Sequence, residues 1–410
     1  MTTKLEEIFD VYEKEFEKLS KGITGSSASS SSSASTSYEF ETKFNILLKN
    51  FGQSVYQGML GEVPKSKNEQ ITILTSMGDV RFPKIHCLAT APGGFKISPF
   101  MQEHLCRIGT KMTFTEASQE ITHLMGIEVN AKQIERLCHH YGELLGQIDW
   151  QQAYTDSVQL RLPINETTYV MMDGSMILTR QKEESWKEVK LCRVFQNNDR
   201  VENISKERNY IGQSSYVAHL GKHDDFFYKV LDIIPRQTPL VFICDGARWI
   251  WNWIDEFYPE STQILDFYHC KEHLFAFANK YYSRDKNLSK KLVDTCIDGL
   301  MAKKVDEVLT MLKQLPCKGT DLKKEKEKLC NYLQNNQKRI NYGKYKEQGL
   351  IFGSGAIESA NRDIIQKRMK LSGQRWTLTG AQQMLNLRVC HKSGQDYRLK
   401  ELIIDYKKVA

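Results

Sequence analysis

The sequence predicts an α/β protein: a mixed sheet flanked by helices, interrupted by an all-helical insertion and preceded by a helical region. Three observations predict it. From about residue 165 the texture alternates between apolar β-type runs and helical ones. Three strand-like runs close in sequence are followed by a strand–helix–strand unit, which suits a mixed sheet with helices on its faces. From 271 to about 350 no strand pattern appears, and Lys and Leu recur at helical spacing.

The elements follow in order. Residues 1–25 carry Ile8, Tyr12 and Phe16 on one repeating face and predict an N-terminal helix. Residues 26–38 are almost pure Ser and Ala, which bury little apolar surface, and predict a flexible linker. Residues 39–150 are expected to form a helical and hairpin region that binds DNA. Within it, 71–88 alternates about Met77, Gly78 and Asp79 as a hairpin does. Residues 113–137 read as a helix-turn-helix, with Ala117, Ile121 and Leu124 inward, Gly126 ending the first helix and Asn130 capping the second. Lys132 and Arg136 are the basic side chains of that second helix; an ordinary helical hairpin is the alternative. Strands are expected over 167–173, 188–195, 210–220, 240–245 and 262–268, with helices over 224–234 and 247–258. Residues 165–273 form the first part of the core, 274–350 the helical insertion, and 351–410 the completion, with a helix over 356–371 and a basic tail.

Composition bounds the function. With 410 residues, two or three domains are expected, and 40% hydrophobic residues suffice for real cores. No run approaches the roughly 18 apolar residues of a membrane span, and the charged N-terminus is not a signal peptide. A cytoplasmic protein is expected. Ten scattered cysteines without a C-x-x-C pair read as thiols. Net charge is +7, unevenly placed: residues 271–410 carry 29 Lys and Arg against 15 Asp and Glu, the remainder 28 against 35. A basic C-terminal third suits a polyanion partner or a solvated basic surface.

Two predicted strands deliver an aspartate at the carboxyl end, Asp173 and Asp245, each followed by glycine. Ligands of open α/β sheets bind at that end. A carboxylate after an apolar run is costly to leave uncompensated, and Mg²⁺ (or Mn²⁺) compensates it well through oxygen ligands. Holding two ions, about 3.5–4 Å apart, takes a third carboxylate. Glu358 fits: it lies just inside a helix after two glycines, and that helix also presents Arg362, Lys367, Arg368 and Lys370. Taken singly, each Asp reads as a strand-end turn residue and Glu358 as a first-turn glutamate favoured by the helix dipole. The tryptophans 249, 251 and 253 read as core, with at most two packing inward.

The strings ICDGARWI at 243–250, LDFYHCKEHL at 265–274, GSGAIESA at 353–360 and RMKLSGQRW at 368–376 resemble DDE-type transposases of bacterial insertion sequences. The likeness is to the Kra-type group, and more distantly to Mutator-type transposases. It covers 165–390 strongly and 70–150 weakly. It implies an RNase H-like core, with Asp173, Asp245 and Glu358 as catalytic metal ligands for two Mg²⁺ or Mn²⁺ ions. It implies a His after a Cys-or-Asp and two residues, which matches Asp266 to His269; Cys270 to His273 has the same spacing. The matching Gln374, Arg375 and Trp376 suggest DNA contact by Arg375 and Trp376, with Arg375 on a phosphate; a cation–π surface pair of Arg375 with Trp376 is the alternative. The relatives' N-terminal cysteine cluster is reduced here to Cys87 and Cys106. The expected activity is metal-assisted cleavage at transposon ends, then strand transfer of the 3′-hydroxyl into target DNA. The expected partners are those DNAs and at least one further copy of the chain. An RNase H-like nuclease or resolvase without strand transfer shares the carboxylates; a non-catalytic DNA-binding derivative would have lost one.

Overall fold

The computed structural model describes residues 2–24, 34–60, 65–86, 89, 92–147, 166–203, 208–235 and 238–404. It divides into two compact units, 1–144 with 396–410, and 145–395.

In the first unit, helices α1 (Thr2–Thr24) and α2 (Ala34–Met59) pair through aromatic side chains, with Phe9 and Tyr12 against Phe51 at 5.3 and 5.1 Å. Residues 26–33 of the expected linker, and Gly25 before it, lie outside the described residues. Residues 34–38 are a correction: they are the start of α2, because the short run feeds directly into an amphipathic segment. Strands β1 (Gln70–Thr75) and β2 (Gly78–Pro83) form the expected hairpin, and Gly78 takes the left-handed φ of 102° its turn requires. Ile73, Val80 and Phe82 close its core.

Helix α3 (Pro99–Gly109) precedes the pair α4 (Phe114–Met125) and α5 (Ala131–Gln147). Thr113 and Glu116 form a capping box, and Gly126 ends α4 at φ 58°. Asn130 accepts from Lys132 N at 2.7 Å, so the two-helix pattern reads correctly from sequence. Leu124 does not: it is 68% exposed, and the apolar residue buried at that end is Ile127, just past the left-handed Gly126. The last described helix, α15 (Asp396–Ile404), packs on α3.

The second unit holds the sheet. Its strands are β3 (Thr168–Leu178), β4 (Trp186–Gln196), β7 (Ser215–Leu220), β8 (Leu240–Cys244) and β9 (Thr262–Leu265), in the order β7-β4-β3-β8-β9. The first three are antiparallel, and β3-β8-β9 are parallel. β3 is central, and its first five residues are all buried, as a strand covered on both faces should be. The predicted strand over 210–220 is instead two: β6 (Arg208–Ile211), paired with β5 (Arg200–Asn203), and β7. Helix α6 (His223–Leu231) follows β7 and α7 (Arg248–Phe257) follows β8. Trp251 and Trp253 of α7 are buried, whereas Trp249 is half-buried against Phe227, so two of the three pack inward as expected.

The helical insertion starts earlier than predicted. Asp266 caps α8 (Phe267–Tyr281) directly after β9. Helices α9 (Lys286–Met301), α10 (Val305–Gln314), α11 (Thr320–Asn335) and α12 (Tyr342–Glu347) complete it. The helix expected over 356–371 runs as α13 (Gly355–Ala360), a widened π-helical turn over Asn361–Gln366, and a last turn over Lys367–Met369. Helix α14 (Leu378–Lys392) then packs on β7. No described helix is long and apolar enough to cross a membrane. The described cysteines are free thiols; Cys87 lies outside the described residues.

Candidate active site

Strand register sets the first two carboxylates side by side. Met172 aligns with Cys244, and Cys244 with Leu265, across the three parallel strands. The next residue on each is an aspartate: Asp173, Asp245 and Asp266. Aligned residues of parallel strands face the same side of a sheet. Asp173 is not at a strand end, as the sequence suggested. Beyond it β3 loses its partner β8 but stays paired with β4 through Leu178. The glycines after the aspartates serve close approach rather than a turn. A Cβ at Gly174 would collide with the Glu188 carboxylate, and one at Gly246 with the Tyr332 ring.

Asp266 is committed to the fold. It is 5% exposed, accepts from His269 N at 2.9 Å as the cap of α8, and accepts from Ser354 N at 2.7 Å. That last bond ties the loop before α13 to the end of β9. Glu358, four residues on, is held by the Ser354 hydroxyl and lines one cavity of about 140 Å³ with Asp173, Asp245, Asp266 and His269. The sequence named Asp266 only as half of a spacing motif; its structural role and that of Ser354 were not foreseen.

The neighbouring carboxylates Asp173 and Asp245 repel each other. Burial first, then the neighbouring charge of Asp245, pushes the Asp173 carboxyl up to about 6; hydrogen bonds from Gly174 N and the Asn361 amide oppose the rise. Asp245 accepts from Ala247 N at 3.0 Å. Among the described residues, neutral groups hold these carboxylates, and no Lys or Arg forms an ion pair with Asp173, Asp245 or Glu358. Three hard oxygen donors around one cavity, without a side-chain cation bridging them, suit a divalent cation. The ligands are not pre-gathered: among the described residues no three Asp, Glu, His or Cys side chains already stand close enough to hold a metal ion. Side-chain rotation within the cavity would have to bring them together.

A second, larger depression of about 680 Å³ continues from Asp173 and Glu358. Gly174, Ser175 and Met176 of β3 form one wall; Arg362, Gln366 and Lys370 form the other. The predicted basic strip therefore divides. Arg362 and Lys370 face this groove. Lys367 is exposed and pairs with Asp363 at 2.6 Å, and Arg375 is exposed. Arg368 is a correction: it is 1% exposed, its guanidinium 5.3 Å from the Trp376 ring centroid. Trp376 is buried too, its indole N–H donating to Met369 O. Both belong to the core rather than to a DNA surface: Trp376 lies past the helix in a bridge to Thr179, and Arg368 packs on its ring. Lys132 and Arg136 are exposed on α5 in the first unit, with Lys132 paired to Glu135 at 2.6 Å.

The two histidines separate. His269 faces the cavity from the first turn of α8. His273, one turn on, stacks on Tyr332 at 4.0 Å, and burial lowers its pKa. The missed residues of the site are Asn361, buried beside Asp173, and Tyr332 of the insertion, packed on Gly246. Neither belongs to a recognisable spacing; each reaches the site only through tertiary packing.

A family model described as an uncharacterised protein family, UPF0236, matches residues 96–404. The chain belongs to the UPF0236 family. That match takes in α3 through α15, and so the cavity and the groove, and leaves α1, α2 and the β1–β2 hairpin outside. A curated relative from Streptococcus gallolyticus, described as a UPF0236 protein in the vanSb 3′ region, is 24% identical over 358 residues, 81% of this chain and 74% of its own. A solved chain of the Drosophila P element transposase strand transfer complex aligns with 73% of this chain and 93% of its own, at 8% identity and a TM-score of 0.38. A likeness that weak fixes neither the chemistry nor the details of this fold.

Proposed function

We propose that this UPF0236 protein is a DNA transposase of the DDE type, related to the Kra-type group, whose RNase H-like sheet carries Asp173, Asp245 and Glu358 as the catalytic carboxylates. One observation carries the reading: register and the α13 helix bring those three residues to one cavity, and that cavity opens into a groove bearing Arg362 and Lys370.

Each residue then has a task. Asp173, Asp245 and Glu358 would hold two Mg²⁺ or Mn²⁺ ions, which would supply charge neutralisation for attack on a phosphodiester. Arg362 and Lys370 grip phosphates of the strand lying along β3. His269 orients a phosphate or carboxylate at the cavity mouth. Lys132 and Arg136 read the element's ends, and Arg375 contributes phosphate contact outside the groove. The reaction is first cleavage of one strand at a transposon end, freeing a 3′-hydroxyl, then attack of that hydroxyl on target DNA. Synapsis of two ends asks for at least a dimer. An RNase H-like nuclease or resolvase would use the same carboxylates and stop after cleavage.

The test uses the full chain and DNA taken from both flanks of its coding sequence. Incubated in Mg²⁺ with pre-cut flank ends and a plasmid target, the protein should yield joined products, and Asp245→Asn should yield none. Nicking of uncut flank DNA without joining would favour the nuclease. No reaction on either DNA, from protein that binds both, would refute a catalytic role.

A further inference from the structure

The helix that delivers Glu358 is not a regular α-helix. Directly after α13 it widens into a π-helical turn over Asn361–Gln366, and such turns interrupt helices most often at functional sites. Arg388 of α14 supports the widened turn by donating to the carbonyl oxygens of Asp363 and Ile364. At its first position Asn361, 3% exposed, donates its amide N–H to the Asp173 carboxylate. Its amide oxygen, fully buried, has no hydrogen-bond partner among the described residues. Asn361 also borders the groove shared by Asp173 and Glu358. Native buried polar atoms are nearly always matched. A lone acceptor one turn from Glu358 and in contact with Asp173 is therefore placed for a donor that arrives with a ligand.

We propose that Asn361 is a positioning residue of the carboxylate site. Its N–H fixes the Asp173 carboxylate, and its oxygen accepts from the water shell of a bound hydrated divalent cation. The inference rests on the reading of Asp173 and Glu358 as cation ligands. Mg²⁺ and Mn²⁺ sites keep several waters, and partners that orient ligands from behind tune affinity ten- to a hundredfold. Ser354 does for Glu358 what the Asn361 N–H does for Asp173: its hydroxyl donates to the carboxylate.

The experiment titrates Mn²⁺ into the full chain without DNA, counting free Mn²⁺ by electron paramagnetic resonance, with thermal melting by circular dichroism alongside. Asp173→Asn should lose the tight binding. Asn361→Ala should weaken it about tenfold or more, while Asn361→Gln, which keeps both the amide N–H and the amide oxygen, should retain more affinity than Asn361→Ala. A structural role alone would lower the melting temperature without this ordering. Binding by Asn361→Ala as tight as by the unsubstituted chain overturns the proposal, as does affinity in Asn361→Gln no better than in Asn361→Ala. If Asn361→Ala does not fold, Asn361→Gln and Asn361→Leu decide: tighter binding by Asn361→Gln than by Asn361→Leu supports the proposal and equal binding overturns it. If Asp173→Asn binds as the unsubstituted chain does, the carboxylate reading itself fails, and this inference with it.

Discussion

Asp173, Asp245 and Asp266 stand in one row across three neighbouring strands, each just past the last aligned parallel pair, yet Asp266 is committed to capping α8 and tying down Ser354. On the facing helix Arg362, Arg368 and Lys370 stand close together, yet Arg368 is buried against Trp376 while the other two face the groove. The two regions assign roles by different rules. Along the strand row, register brings the carboxylates together and hydrogen bonding decides which one is committed to the fold. Along the helix, a widened turn decides which cations face outward. Charge in a motif therefore marks candidates, and local geometry sorts the chemical ones from the structural ones.

The sharpest test of that sorting is activity. Asp173→Asn, Asp245→Asn and Glu358→Gln keep shape and remove a ligand charge. Each should cut Mg²⁺-dependent DNA cleavage by about a thousandfold or more, with circular dichroism unchanged. Near-normal cleavage by any one of them would move that residue to the structural class of Asp266.

The structural members should fail differently. Asp266→Ala removes a helix cap and a buried acceptor, and Arg368→Gln removes a buried guanidinium. Each should cost about 2–4 kcal/mol of stability, read from chemical denaturation. Arg362→Gln and Lys370→Gln should leave stability nearly unchanged. If Arg368→Gln is as stable as Lys370→Gln, the burial distinction is wrong.

How much of this was legible beforehand differs between the two regions for the same physical reason. Apolar runs ending at Asp173 and Asp245 announce themselves, because parallel strands covered on both faces must be continuous hydrophobic runs. That β3 continues past Asp173 was hidden, since the later residues, including exposed Met176, pair with β4 alone. The helix-turn-helix caps were legible because capping is local: Thr113, Glu116, Gly126 and Asn130 act within a few residues. The π-helical turn was not, because its supporting Arg388 lies far along the chain. Without that turn Arg368 looks like a surface residue and Asn361 like nothing in particular, and the bridge of Trp376 to Thr179 is as distant in sequence.

A smaller effect concerns pH. The folded-state carboxyl of Asp173 is raised to about 6 by burial and by Asp245, above its unfolded value near 4. The folded state thus binds the extra proton between those values, so this group's contribution is fully present below about pH 4 and lost as pH rises through about 6. Asp173→Asn should accordingly be more stable than the unsubstituted chain at pH 7, by about 2–3 kcal/mol, and show no such gain at pH 4. An equal gain at both would place the strain elsewhere.

The smallest effect is on DNA affinity. Arg362→Gln and Lys370→Gln should each flatten the log–log salt dependence of DNA binding by about 0.9. Lys132→Gln and Arg136→Gln should instead reduce preference for flank ends over random DNA. An unchanged slope in the Arg362 and Lys370 variants would leave the groove without a phosphate role.

The central claim, that strand register and the α13 helix build a divalent-cation site, is met most directly by anomalous diffraction from crystals of the protein soaked in Mn²⁺. Anomalous density is expected in the cavity among Asp173, Asp245 and Glu358, and should be absent from crystals of Asp245→Asn. Density elsewhere on the molecule with none in that cavity, or density there that survives Asp245→Asn undiminished, would contradict it.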